Sequence, residues 1–262
     1  MILNALKNIK KYFGYSIYAA RCSLMAEVAG SYLNWIWWLL EPFGNMCVYL
    51  VVFGYFFNSN EKYYASFIYI GVTLWGFFNG FIISSSNTVR SNRALVINIY
   101  IPKYVLLMNS LFVFGFKMLL SFILVALSMA MSGVCIGINI LYSLPVLLIF
   151  CLFSYGCGLI FMHYGIYISD LQAALRIILH IAMYLSGVFY SIDNRVPQPF
   201  GKILLHINPI AFFIDSFRNC VLYDKKPEFI FMVVWFVITV MIVCAGLMLV
   251  TSNENDYAKV MQ

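Results

Sequence analysis

The chain has 262 residues, 63% of them hydrophobic and 10% charged, with a mean hydropathy of +0.90 and a net charge of +6. A water-soluble domain carries about a quarter charged residues, so this composition excludes a soluble enzyme or binding module and specifies a polytopic membrane protein. The positive charge does not imply a nucleic-acid partner, because the basic residues sit at the edges of apolar runs, where topology places them. Only helix bundles and closed barrels satisfy every backbone group in lipid, and these runs are continuous, not alternating, so the expected fold is all-α.

Residues 2–20 set Ile2, Leu6, Ile9, Phe13 and Ile17 at three- and four-residue spacing, with Lys7, Lys10 and Lys11 elsewhere. This predicts an amphipathic helix in the inner membrane interface; the alternative is a basic segment that only sets topology. Arg21 and Glu27 mark a polar hinge that closes this 1–29 region. A first span is expected over 33–57, with Trp35, Trp37 and Trp38 as an interfacial belt, and a second over 65–89. Residues 90–103 then form a polar island holding Arg90, Arg93 and Lys103, whose charges place it on the cytoplasmic side. Ala94, Leu95, Ile97, Ile99 and Ile101 keep the island amphipathic, so it reads as a short surface helix ended by Pro102, which can also start the next helix. A structured cytoplasmic helix between two spans is a natural place to receive force or a partner.

A third span is expected over 104–131 and a fourth over 141–168, followed by a tight turn at 169–176. The fifth, 177–190, is short against the usual ~20 residues, and the alternative is a start near Leu171 that takes in Arg176. Segment 191–228 contains Pro197, Pro199, Pro209 and Pro227, yet is rich in apolar residues. Two short helices, 199–207 and 209–222, fit it best, dipping back into the outer half of the membrane; an external hairpin on the headgroups is the alternative. A last span over 229–250 leads to the tail 251–262. The sum is six spans with both ends inside, and a modest excess of basic residues on the cytoplasmic side agrees with it.

Glu41 and Lys117 are the charges deep within the expected spans, at depths that match within several ångströms at about 1.5 Å per residue. An interhelical Glu41–Lys117 pair is therefore expected; the alternative is Glu41 facing a channel alone, beside a helix break at Pro42. His163, His180 and His206 have no ligand spacing and no metal is expected. Ser154 and Ser186 lie in no G-x-S-x-G, and Gly71, Gly76 and Gly80 read as close helix contacts. Seven cysteines without a CxxC read as small apolar residues, with Cys135–Cys220 a remote disulfide possibility.

In order and spacing these features resemble the permease subunits of bacterial polysaccharide ABC exporters, the type-2 group that moves O-antigen, capsule and teichoic acid. The resemblance covers nearly the whole chain. It is most specific in Asn98-Ile-Tyr-Ile-Pro-Lys-Tyr104, in Ser186-Gly-Val-Phe-Tyr-Ser191, and in Ile207-Asn-Pro-Ile-Ala-Phe212 followed by Phe217-Arg218. The tail around Glu254 to Tyr257 is weaker than the family's charged ending and adds little.

The resemblance implies a homodimer in the bacterial inner membrane with two copies of a separate ATPase, and no nucleic acid. This chain lacks a GxxxxGK[ST], so ATP and Mg belong to that partner. The resemblance makes 90–103 the coupling helix, with Arg90, Arg93, Leu95, Ile97, Asn98, Tyr100 and Pro102 meeting the ATPase, and Asn208, Pro209, Phe212 and Arg218 an external gate. The implied substrate is a lipid-linked glycan passing between the two copies. Sugar rings stack on aromatic faces, so Tyr49, Phe53, Tyr184, Phe189 and Tyr190 are candidate channel residues, plain packing and lipid contact being the alternative. Two rival functions are a type-2 permease for a small molecule or lipid and an ATP-independent secondary transporter; the latter needs charged relays that only Glu41 and Lys117 offer.

Overall fold

The computed structural model describes residues 2–30, 34–56, 61–99, 101–254 and 256–257, and every regular element among them is helical. Helix α1 (Ile2–Val28) is unbroken where a hinge was expected at Arg21 to Glu27. Ala19, Ala20, Leu24, Met25 and Ala26 are strong helix formers, and no glycine or proline falls between Gly14 and Gly30.

The first apolar run is not one regular helix. A 3₁₀ turn (Asn34–Ile36) leads into α2 (Trp37–Tyr49), which continues as a π-helical stretch, Leu50–Phe56. The expected break at Pro42 is absent; Pro42 lies inside α2, close enough to its start to remove only one hydrogen bond. The irregularity falls instead where Val51, Val52 and Gly54 weaken the helix.

Helix α3 (Tyr64–Ser91) is the central element, buried along most of its length, and runs on through Arg90. The surface helix that follows, α4 (Arg93–Asn98), is therefore shorter than the polar island. Pro102 caps α5 (Lys103–Met131), as its fixed φ and missing N–H favour. A 3₁₀ turn (Ile138–Tyr142) opens α6 (Ser143–Tyr167). Helix α7 (Leu171–Leu185) includes Arg176, so the expected turn over 169–176 shrinks to Ser169 and Asp170. Then come α8 (Ile192–Arg195), α9 (Phe200–Ile207), α10 (Pro209–Leu222) and α11 (Phe229–Ser252).

By length and apolarity α3, α5, the 138–167 helix and α11 can each cross a membrane, and the bent pair α9–α10, turned by 99°, makes up to five crossings if it counts as one. Small residues let the central helices close on one another: a Cβ on Gly165 would collide with the Ser86 carbonyl of α3, and one on Gly246 would come within 2.8 Å of Leu159 Cβ. All seven cysteines are free thiols; Cys135 is exposed and Cys220 buried. The bundle thus has one end carrying α4 and an opposite end carrying α8, α9 and the start of α10.

Candidate functional site

At the opposite end, the two sequence motifs that lie farthest from simple apolar patterning meet. Asn208 caps α10, its Oδ1 accepting from Ile210 N at 3.1 Å and Ala211 N at 3.3 Å. Its amide donates in turn to Ser186 Oγ at 3.1 Å and Leu185 O at 3.3 Å. Nearly three turns on, Arg218 is 2% exposed and reaches across the core. Nε donates to Phe67 O at 3.0 Å, and the two terminal nitrogens donate to Gly187 O and Val188 O, both at 2.7 Å. Its guanidinium carbon lies 3.5 Å from the Phe67 ring centroid. The planar fork of arginine suits this convergence of carbonyls. Gly187 takes φ +64°, the left-handed conformation glycine adopts freely, and so turns its carbonyl into reach. Gly71 leaves room: a Cβ there would collide with Arg218 Nη2 and come within 2.7 Å of Val188 O. Of the four residues expected at an external gate, Asn208 and Arg218 form this knot, while Pro209 opens α10 and Phe212 is buried against Phe213.

The five candidate channel aromatics come together beside it. Phe189 lies 4.3 Å from Tyr49, 4.9 Å from Phe53 in parallel stacking, and 5.8 Å from Tyr184, centroid to centroid. Tyr190 donates its hydroxyl to Tyr184 O at 2.8 Å, and Tyr64 donates to Phe189 O at 2.9 Å. Phe189 is fully buried in the single chain, whereas Tyr184 is exposed.

At mid-height lies a cavity of about 550 Å³, walled by α2, α3, α5 and α7. Its α3 wall, Val72 to Ile83, starts and stops eight residues from the two ends of that helix. Glu41 and Lys117 both face it, as their matched depths require, but they are not the ion pair expected. Lys117 Nζ instead meets Glu27 Oε2 of α1 at 2.6 Å and lies over the Trp38 and Phe114 rings at 5.5 and 5.4 Å. The cause is the path of α1, which packs along α5: Asn8 donates to Tyr104 Oη at 3.0 Å, Phe13 meets Phe112 edge-on, and the uninterrupted helix then delivers Glu27 to Lys117.

At the α4 end, Arg90 Nη2 donates to Ile166 O at 3.0 Å, tying α3 to α6. Arg93, Ile97 and Asn98 are exposed, Leu95 packs on the core and Pro102 is buried; Tyr100 lies outside the described residues. The tail contributes more than its composition suggested. Glu254 Oε1 accepts from Lys103 N at 3.2 Å and stands 3.9 Å from Lys103 Nζ, on a lysine only 4% exposed. Tyr257, fully buried, places its hydroxyl 2.7 Å from His163 Nδ1, and burial pushes its phenol above the ordinary pKa, keeping it protonated. Nothing in the spacing of Lys103, His163, Glu254 and Tyr257 announces these contacts, because each partner lies more than ninety residues away. Among the described residues no group of three His, Cys, Asp or Glu side chains is placed to hold a metal ion.

The ABC-2 type transporter family profile matches residues 23–222. The chain belongs to this family. It is accordingly the membrane-embedded permease of a type-2 ABC exporter. Over 262 residues it is 20% identical to the O-antigen export system permease protein RfbA of Myxococcus xanthus, covering 98% of this chain and 99% of that protein. The family match takes in the cavity, α4, the aromatic cluster and the Asn208–Arg218 knot, and stops at Leu222, before α11 and the tail.

Proposed function

We propose that this permease forms the conduit through which an ATP-driven exporter passes a lipid-linked cell-surface polysaccharide across the bacterial inner membrane. The observation that carries the reading is the end-to-end likeness to an O-antigen export permease, joined to an aromatic cluster in which Tyr49, Phe53, Tyr184 and Tyr190 offer faces to sugar rings and buried Phe189 packs behind them. Two copies of the chain enclose the conduit, with Tyr49, Phe53, Tyr184 and Tyr190 along it and Phe189 backing them. In this reading α2 with its π-helical continuation and α7 count as spans beside the longer helices, making six, with both chain ends cytoplasmic. The α9–α10 pair is re-entrant, and Asn208, Pro209, Phe212 and Arg218 set the outer gate.

The exposed face of α4, where Arg93, Ile97 and Asn98 point away from the bundle, supports docking of a separate ATPase on 90–103. Two such subunits hold ATP and Mg, and their closure pushes α4 against a bundle able to take two arrangements. Affinity purification from native membranes tests this. An ATPase co-purifies with the natural chain and is lost when Arg93 and Tyr100 are changed to alanine; a chain that purifies alone as a stable oligomer sinks the reading. Stimulation of ATPase activity by lipid-linked glycan separates polysaccharide export from export of a small molecule, for which such stimulation is absent.

A further inference from the structure

Apart from Lys117 and Ser121, six polar side chains line the mid-height cavity: Glu41 and Asn45 from α2, Thr73 and Asn79 from α3, and Arg176 and His180 from α7. None forms a hydrogen bond or ion pair with any described residue. Glu41, Asn45 and Arg176 are exposed and Asn79 is half-buried in the single chain, so within a membrane they open onto water, a ligand or another copy, because polar and charged side chains in lipid are retained only where something answers them. The nearby charges narrow what that ligand is. Lys117 is engaged by Glu27, and the remaining cation, Arg176, is balanced by Glu41, so the wall carries no surplus positive charge. A phosphate site concentrates cations; this wall instead mixes an acceptor-only carboxylate, a donor-only guanidinium and two amides that do both. Trp38, half-buried, supplies an apolar ring beside them. A volume of about 550 Å³ falls within the range of small-ligand sites, about 300–1,000 Å³.

From these observations we infer that the cavity is a sugar-reading site, in which Glu41, Asn45, Asn79 and Arg176 bind hydroxyl groups of a neutral saccharide unit while Trp38 takes its C–H face. Each sugar hydroxyl donates and accepts, which matches the mixed wall and not an anionic headgroup. The inference rests on the polysaccharide reading above. It adds that selectivity for the repeat unit resides in the lower conduit, apart from the aromatic cluster at Phe189.

The test uses the permease–ATPase complex in lipid nanodiscs, following tryptophan fluorescence. One arm titrates glycan released from the host's lipid extract by mild acid and dephosphorylated; the other titrates inorganic pyrophosphate. Expected are a saturable fluorescence change with glycan, none with pyrophosphate, and at least a tenfold rise in the glycan concentration needed by an Asn45→Ala/Asn79→Ala variant. Because those amides have no partner in the described protein, that variant keeps the natural thermal midpoint. Glu41→Gln shifts the glycan titration the same way. A response to pyrophosphate alone makes the cavity a headgroup site and overturns the inference, as does a double variant that titrates like the natural chain. A double variant that dissociates into monomers shows the wall to be an interface between copies, which also overturns it. If lipid-linked glycan stimulates the ATPase yet released glycan leaves the fluorescence unchanged, the sugar-reading site alone fails. If lipid-linked glycan gives no stimulation, the polysaccharide reading fails and takes this inference with it.

Discussion

The Arg218 knot and the mid-height cavity use similar side chains and treat them in opposite ways. Both hold an arginine and amide-bearing side chains, but Arg218 is 2% exposed, whereas Arg176 and Asn45 are exposed and Asn79 is half-buried in the single chain. At the knot Arg218 reaches three carbonyls and Asn208 both accepts and donates. In the cavity Arg176, Asn45 and Asn79 have no protein partner among the described residues. A buried polar group with its bonds made fixes geometry; one held open is answerable to something that comes and goes. The knot therefore holds residues 185–188 against α3 and α10, and the cavity is the part left for a ligand.

Substitutions can break this contrast. The largest effect is expected from Arg218→Ala, which leaves the Phe67, Gly187 and Val188 carbonyls without their donor and should cost on the order of 3 kcal/mol or more, read as a lower thermal midpoint in detergent. Arg218→Lys should recover less than half, because an ammonium lacks the planar fork. Gly71→Ala pushes a methyl into Arg218 and should cost about 2 kcal/mol by overpacking; a midpoint equal to the natural chain's would mean that the knot yields easily. Asn208→Ala removes the α10 cap at about 1 kcal/mol, and Asn208→Asp should restore most of that while losing the bonds donated to Ser186 and Leu185. The smallest effect is expected in the cavity, where Arg176→Gln should stay within about 0.5 kcal/mol of the natural stability. A loss there as large as that of Arg218→Ala would erase the distinction between the two regions.

Much of this was legible in the residues. Uninterrupted apolar runs dictate helices, and prolines at 199 and 209 mark the starts of α9 and α10 to within one residue. The Ser186-to-Ser191 and Asn208-to-Arg218 motifs were visible as sequence, and their spatial union explains why both are needed. The pairing of Lys117 was not legible. Depth matching brings Glu41 and Lys117 to one cavity, but choosing between two carboxylates requires knowing that α1 does not bend at Arg21, which helix propensity decides only in concert with packing on α5. The break assigned to Pro42 failed for a related reason: near a helix start proline gives up a single bond, whereas Val51, Val52 and Gly54 together loosen the helix further on. The contacts of Glu254 and Tyr257 carry no local signal at all, since they depend on where two distant helices end.

That last pair of contacts sets an order in time. Lys103 stands at the head of α5, next to the stretch on which an ATPase is proposed to dock, and Glu254 follows it by 151 residues. At about 5–20 residues per second of synthesis, the lysine waits roughly eight to thirty seconds for that carboxylate to leave the ribosome. The junction beneath α4 is therefore completed only after the helices between Lys103 and Glu254 have been made.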